Sequence, residues 1–333
     1  MVSRTGSTAP LPVAIVGAGM TGLTAARRLA GRGHTVHVFD KGRGLGGRLA
    51  TRRRTLADGR ALAIDHGAQF ATARTPHFHG QLAGAAMKRG VTVWRPTAGR
   101  RSDPGTTLRF VGLPGMGGLV HPLADGLPVN TGHAITGVRR DSDGWWLDGA
   151  DRPQGPFAAV ILTVPAPQLP ALLPPGMDHW VAALRTVSMA PCWAGLFAFD
   201  RPLAMDGAMM RPSGGPLNLV VSMADKPGRP SLPAYVVHAH PNWSTAHLEQ
   251  AAETVLSHLH AALAECVGAP LPTSLYADAH RWRYARTMVP LGRPFLASDT
   301  GLFAGGDWTL GARVEAAFES GRALANAVEA HLP

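Results

Sequence analysis

The chain of 333 residues has room for two domains with filled cores, and its 45% hydrophobic and 16% charged residues are those of a soluble globular protein. A formal charge of +10 suggests nucleic acid, but only three of the 32 cationic residues are lysines, and the arginines are scattered apart from Arg52–Arg54 and Arg100–Arg101. Nucleic-acid modules gather their basic residues on one face, so that class is set aside; the positive field suits anionic small molecules such as nucleotides.

Residues 1–10 are polar and proline-containing and are expected to form a flexible tail. Val13 to Val16 form an apolar, mostly β-branched run that predicts a buried parallel strand. Gly17, Gly19 and Gly22 follow with G-x-G-x-x-G spacing, and a helix is expected from Met20 to Gly31. In such a unit the first glycine makes the tight turn, the second admits a pyrophosphate and the third lets helix and strand pack closely. The helix N-terminus, with Ala18, Met20 and Thr21, offers amide N–H groups to the phosphate. A second strand, Thr35 to Phe39, ends in Asp40, placed to accept hydrogen bonds from a ribose hydroxyl.

Lys41-Gly-Arg-Gly-Leu-Gly-Gly-Arg48 is a second glycine-rich loop. Its glycines, Gly47 among them, allow close approach to an anion, and Arg48 can fork onto phosphate oxygens. An NAD-only domain has no need of this loop, whereas a two-domain flavoprotein folds it over the FAD pyrophosphate. The expected cofactor is therefore FAD.

Leu49 to Ile64 read as a hairpin turning at Asp58-Gly59, followed by the polar and aromatic turn Asp65-His-Gly-Ala-Gln-Phe70. A helix over 77–90 and a strand over 91–94 come next, then a polar loop from 97 to 106. Residues 119–127 suit a short helix, and 129–164 a run of short strands ending in an apolar strand that Pro165 and Pro167 stop. Residues 168–272 are proline-rich with Trp180, Trp193 and Trp243, and predict an antiparallel sheet. One helix is expected there, from Ser244 to Val267, with a stripe of Leu248, Ala252, Val255, Leu259 and Leu263. Near the end, Gly301 to Asp307 is an apolar strand running into Gly-Gly-Asp, and Arg313 opens a final helix. Asp307 is suited to a ribityl chain, and the helix N-terminus to the electron-rich O2 side of a flavin.

The predicted fold class is α/β: a discontinuous Rossmann-type FAD-binding domain (11–77, 107–166 and 274–333) interleaved with an antiparallel-sheet substrate domain (78–106 and 167–273). Cys192 and Cys266 give neither a disulfide framework nor a metal spacing. His238-x-His240 and His77-x-His79 lack a supporting Cys, Asp or Glu cluster, so no metal is expected. With no signal-peptide core at the start and no apolar run of membrane-spanning length, the expected setting is the cytoplasm.

Asp40-Lys-Gly-Arg-Gly-Leu-Gly-Gly-Arg48, Gly67-Ala-Gln-Phe70, Leu162-Thr-Val-Pro-Ala-Pro-Gln168, His240-Pro-Asn-Trp-Ser244, His280-Arg-Trp-Arg-Tyr-Ala285 and Gly306-Asp-Trp308 with Arg313-Val-Glu-Ala316 resemble, over nearly the whole chain, bacterial renalase-like proteins of the flavin amine oxidase superfamily. The resemblance implies non-covalent FAD in a p-hydroxybenzoate hydroxylase-like two-domain fold. It also implies oxidation of 2- or 6-dihydro isomers of NAD(P) to NAD(P)+, with O2 reduced to hydrogen peroxide. By position, Thr21, Arg48, Gln69, Phe70 and Val314 would contact FAD. His66, Gly67, Ala68, Val138, Gly306, Asp307, Arg313 and Glu315 complete the expected cofactor set. Ala71, Thr309 and Ala312 depart from residues common in relatives beside the flavin. The substrate pocket is expected to use Trp193, His240, Trp282 and Tyr284, whose rings can stack on or hydrogen-bond a nicotinamide.

No acid–base constellation is apparent, and hydride loss from a dihydronicotinamide needs none. Amine oxidases of the superfamily use a lysine near flavin N5 and a C-terminal tyrosine facing the ring. Here Lys226 falls in a Pro/Gly loop and no tyrosine follows Tyr284. An oxidase or desaturase of another amine or polycyclic substrate, and a flavin-binding protein without turnover, are the alternatives. Oligomeric state stays open between monomer and dimer.

Overall fold

The computed structural model describes residues 10–99, 107–149 and 152–333, so the expected tail and most of the 97–106 loop lie outside it. In chain order the first half contains β1 (Val13–Val16), α1 (Met20–Ala30), β2 (Val36–Asp40), β3 (Thr51–Thr55), β4 (Ala61–Asp65), α2 (Pro76–Met87), β5 (Val91–Trp94), β6 (Arg109–Gly112), α3 (His121–Ala124), β7 (Val129–Thr131), β8 (Ile135–Arg140), β9 (Trp145–Gly149), β10 (Gln154–Phe157) and β11 (Ala159–Leu162). The second half adds α4 (Asp178–Arg185), β12 (Ser188–Phe199), β13 (Met209–Met210), β14 (Leu217–Ser222), β15 (Ala234–Ala239), α5 (Pro241–Ala246), α6 (Ala252–Val267), β16 (Ser274–Val289), β17 (Leu296–Ala297), β18 (Leu302–Ala304), α7 (Asp307–Leu310) and α8 (Val314–His331).

The first layer is a six-stranded sheet in the order β17-β18-β11-β1-β2-β7, parallel except at the β17 edge. All four residues of β1 and of β11 are buried, as strands covered on both faces must be. Val13 and Ile15 face a core shared with α1 and α8, while Ala14 and Val16 face the small sheet β10-β9-β8 through Phe39, Val138, Trp145 and Phe157. α1 and α8 touch closely because Gly321 has no side chain: a Cβ there would sit 2.4 Å from the Thr21 carbonyl oxygen.

The second layer is the antiparallel sheet β13-β14-β15-β12-β16. Period-two alternation gives it two apolar faces. Ala194, Leu196, Ala198, Val221 and Val236 join the core of the first layer, whereas Trp193, Phe197, Phe199, Tyr235 and Val237 lie under Val255, Leu259 and Leu263 of α6. Fully burying one such phenylalanine or leucine contributes about 1.5–3 kcal/mol, so both faces stabilise the layer.

Three expectations change. β16, assigned above to the FAD-binding portion, pairs with β12 along its length and is the edge of the second sheet. α2, assigned to the substrate portion, packs into the first-layer core, with Phe78 and Phe318 rings 5.1 Å apart. The single helix over 244–267 is two helices, broken at 247–251. The His247 carbonyl, which a continuous helix would give to the amide of residue 251, accepts the Gln250 amide at 3.2 Å and the Trp193 indole N–H at 3.0 Å, and the Leu248 carbonyl accepts Arg281.

Candidate FAD and substrate site

The β1–α1 turn is built for a phosphate. Gly17 has φ +112, and a Cβ on it would meet Thr163 Oγ1 at 2.4 Å. A Cβ on Gly22 would lie 1.9 Å from the Gly17 oxygen. Around Gly19, by contrast, a Cβ would find open space, as it would at Gly44 and Gly47. Two glycines are therefore demanded by the chain's own packing, and Gly19 by something the chain itself does not contain. Asp40 at the end of β2 accepts from the amides of Ala18 and Gly42, each at 2.6 Å, which fixes its carboxylate beside the turn. Met20 is buried in the core, and the Thr21 hydroxyl donates to Ala317 O at 2.9 Å; Thr21 thus ties α1 to α8, leaving its backbone for a ligand. Lys41 reaches out to Gln168.

The second glycine loop brings Arg48 to the C-terminal acid. Arg48 forks onto Asp307 at 2.9 and 2.5 Å and donates to Ala285 O at 3.2 Å and, at 3.5 Å, to the carbonyl of Tyr284. Asp307 also accepts from Thr287 at 3.1 Å. Arg48 thus converges with Gly306-Asp307 and the β16 strand, both more than 200 residues further along the chain. At the start of α8, Val314 opens the helix, Arg313 stands before it, and Arg313 Nε is buried without a partner among the described residues. An orphaned buried donor at a helix N-terminus fits an anionic or carbonyl-bearing ligand. The carboxylate of Glu315 is already taken by the amides of Arg74 and Thr75, both at 2.7 Å, and by Arg313. Glu315 therefore clamps the 71–75 segment to α8.

The turn after β4 lies between the two layers. A Cβ on Gly67 would strike the Arg48 backbone oxygen at 2.0 Å, and Ala68 N donates to that oxygen at 2.9 Å. Gln69 is buried with its amide folded back on the carbonyls of Asp65 (2.7 Å) and Gly67 (2.9 Å), so its side chain braces the turn and is not free to contact FAD. Phe70 is half-buried against Trp94, beneath the Arg109 guanidinium at 5.6 Å.

The expected pocket residues divide. Trp282 is brought to the site: its ring stacks on His66 at 5.2 Å and its N–H donates to His66 O at 2.9 Å. Tyr284, half-buried two residues on, follows it on β16 toward Arg48. Trp193 is a correction, because its position in β12 turns it to the α6 side of the sheet. His240 is also a correction, exposed where the chain enters α5. Two residues earlier on β15, His238 meets His66 O at 3.2 Å. Val138 is a third: it is core, and its amide is engaged by Leu172 O.

Sequence reading missed His238, His280 and a buried charge cluster. The His280 ring lies 4.7 Å from His66 and 4.4 Å from Trp282. Burial lowers the imidazoles of His66 and His238 to about 4, so both are neutral at pH 7. Asp65 accepts from Lys226 Nζ at 3.1 Å and from Arg229 at 3.1 and 2.5 Å, all three side chains being fully buried. Burial, opposed by Asp65, brings the Lys226 ammonium down to about 8. Lys226 is thus no solvated loop residue. The period of β15 could have placed His238; nothing local marks Lys226 as buried.

A Rossmann turn with a space open at Gly19, a second glycine loop and a helix N-terminus beside Gly-Asp define a two-layer flavoprotein fold. NAD(P)-binding Rossmann-like domains match residues 15–83, and the flavin-containing amine oxidoreductase family matches residues 93–329. The chain belongs to that family, and it is an FAD-dependent oxidoreductase. Among solved structures, a putative protoporphyrinogen oxidase from Exiguobacterium sp. 255-15 is similar with a TM-score of 0.76 at 14% identity, over 97% of this chain and 99% of that one. A putrescine oxidase bound to putrescine follows at 0.69 and 14%, over 97% and 99%. At such identity the likeness speaks for the fold. The 4,4'-diapophytoene desaturase of Staphylococcus haemolyticus is 52% identical over 40 residues, a stretch covering 12% of this chain and only 8% of that protein. Among the described residues no helix is long and apolar enough to cross a membrane.

Proposed function

We propose that the protein is an oxidase of 2- or 6-dihydro isomers of NAD(P), returning them to NAD(P)+. The observation that carries this reading is the chemistry of the seam between the 66–70 turn and the second sheet. It is formed by Trp282, His66, His280 and His238, flat rings that carry no charge at neutral pH. Such a wall suits a neutral dihydropyridine, which stacks on aromatic faces. An ammonium substrate would need a carboxylate or a base, and the buried acids here are committed: Asp65 to Lys226 and Arg229, Asp307 to Arg48 and Thr287.

FAD, when bound, supplies the hydride acceptor and passes the electrons to O2, giving hydrogen peroxide. The protein's own task is then placement and exclusion of water. Gly19 and the N-termini of α1 and α8 hold anionic groups, and Trp282 with His66 offers a stacking face. No side chain has to move a proton, because hydride loss leaves an aromatic pyridinium. The resemblance to renalase-like proteins supports the same substrate class, and the exposed arginines of β3 add a positive field for a dinucleotide.

The test is anaerobic mixing of the FAD-loaded protein with base-isomerised NADH, ordinary β-NADH and a panel of amines, followed by flavin absorbance. Rapid bleaching by the isomerised sample alone, with peroxide on readmitting air, is the expected result. Bleaching by an amine, or by nothing in the panel, overturns the substrate assignment.

A further inference from the structure

Arginines crowd β16, and the neighbours of Arg286 are matched by acids. Arg48 forks onto Asp307 while donating to Ala285 O, and Arg52 reaches Asp278 at 2.8 Å. On the strand itself, Arg281 meets Glu249 at 3.2 Å and lies over the Trp193 ring on the α6 side of the sheet. Arg283 forks onto the same Glu249 at 2.5 and 2.9 Å. Arg286 is different. It is half-buried, yet among the described residues no carboxylate, carbonyl or ring holds its guanidinium.

Strand register decides which way Arg286 points. It stands opposite Ala190, as Trp282 stands opposite Cys192, and residues 190 and 192 alternate onto one face of β12 with Ala194 and Leu196. That face looks toward the first layer. Arg286 therefore shares a face with Trp282, whose ring stacks on His66, and not with Arg281 and Arg283. Ala190 is half-buried as well, so no large side chain opposite Arg286 fills this end of the face. The chain on either side of Arg286 is tied to the Arg48–Asp307 pair: Ala285 O accepts Arg48 at 3.2 Å, and Thr287 donates to Asp307 at 3.1 Å. Trp282 precedes Arg286 by no more than about 13 Å of extended strand.

A guanidinium held partly out of water without a counter-ion is costly, and its planar fork matches the oxygens of a phosphate. A dihydronicotinamide stacked at Trp282 carries its phosphates one ribose away, within reach of a long cationic side chain on the same face. Resting on the reading that the Trp282–His66 seam takes this ring, we infer that Arg286 is the anion contact of the substrate site and binds the diphosphate of the dinucleotide. Its charge makes the site prefer a dinucleotide to a ring compound without phosphate.

The test is calorimetric binding of ADP-ribose, which has the diphosphate but no nicotinamide ring, to the FAD-loaded protein. Wild type is compared with Arg286→Met, Arg286→Gln and Arg283→Met. The wild type is expected to bind, and both Arg286 variants to bind at least tenfold more weakly and with less dependence on salt. Arg283→Met, which removes the same charge from the α6 side, should stay near the wild type. Wild-type affinity in the Arg286 variants overturns the inference, as does an equal loss in Arg283→Met, which would mean a diffuse field and no direct contact. Release of FAD or lower apoprotein stability in urea for both Arg286 variants also overturns it, because the guanidinium would then serve the cofactor or the fold. ADP-ribose has no hydride to give, so the two readings fail separately. If dihydronicotinamides do not bleach the flavin, the proposed function falls and Arg286 can still prove a phosphate site; if ADP-ribose does not bind the wild type, this inference falls alone.

Discussion

Gly17, Gly19 and Gly22 share one motif but meet different surroundings, and mutation separates them. Gly19 has φ −86 and open space where a Cβ would go, so Gly19→Ala is compatible with the chain's own fold. The apoprotein should unfold within about 0.5 kcal/mol of wild type, whereas FAD affinity in a fluorescence titration should fall at least tenfold, on the order of 1.4 kcal/mol or more. Gly22→Ala forces a methyl onto the Gly17 carbonyl, 1.9 Å away. It should cost about 1–3 kcal/mol or more in urea unfolding of the apoprotein itself. Equal effects of the two substitutions on the apoprotein would refute the view that one glycine serves the ligand and the other the packing.

At the scale of elements, the two long helices of the first layer depend on Gly321. Gly321→Ala places a Cβ 2.4 Å from Thr21 O and 2.9 Å from Thr24 Cβ, so α1 and α8 must separate. A loss of about 1–3 kcal/mol in apoprotein unfolding is expected. Because α8 also carries Val314 at its first turn, FAD affinity should fall with it, and an unchanged affinity would show that helix separation does not reach the site. Elements also explain which pocket residues were legible. Trp282 stood in a motif that survives as the β16 strand facing the first layer. Trp193 is equally aromatic, but strand parity in β12 sends odd-numbered residues to α6. Parity is local, yet which parity faces the flavin depends on the neighbouring layer.

At the scale of the whole molecule, the seam between layers is closed by neutral histidines and a buried ion cluster, which makes its stability depend on pH. His66 and His238 hold folded-state values of about 4, below the ordinary 6.5 of an exposed imidazole. Between those values the unfolded chain binds protons that the folded chain does not. Stability from these two groups is therefore complete above about pH 6.5 and is lost as pH falls toward 4, by about 1–3 kcal/mol for each. Urea midpoints of the apoprotein from pH 7 to 4.5 should fall accordingly. His238→Gln, which can keep the hydrogen bond to His66 O, should flatten the slope, and a slope as steep as wild type would exclude His238 as a source.

The Rossmann unit, the FAD assignment and the two-layer class were all readable in advance. Each rests on short-range patterns: a glycine spacing, a β-branched run, an acid at a strand end, a basic glycine loop. Such patterns dictate backbone conformation and charge within a few residues, and the chemistry of a pyrophosphate demands them. The tertiary structure alone decided that β16 belongs to the second sheet, that His238 and not His240 meets the 66–70 turn, that Gln69 is spent on its own turn, that Arg48 pairs with Asp307 and that Lys226 is buried beside Asp65. Those outcomes depend on contacts between residues far apart in the chain, 161 positions for Lys226 and Asp65 and 172 for His238 and His66. A lysine between aspartate and proline reads as exposed because burying an ammonium is costly. Only the second layer closing over it, with Asp65 and Gln69 beneath, offsets that cost.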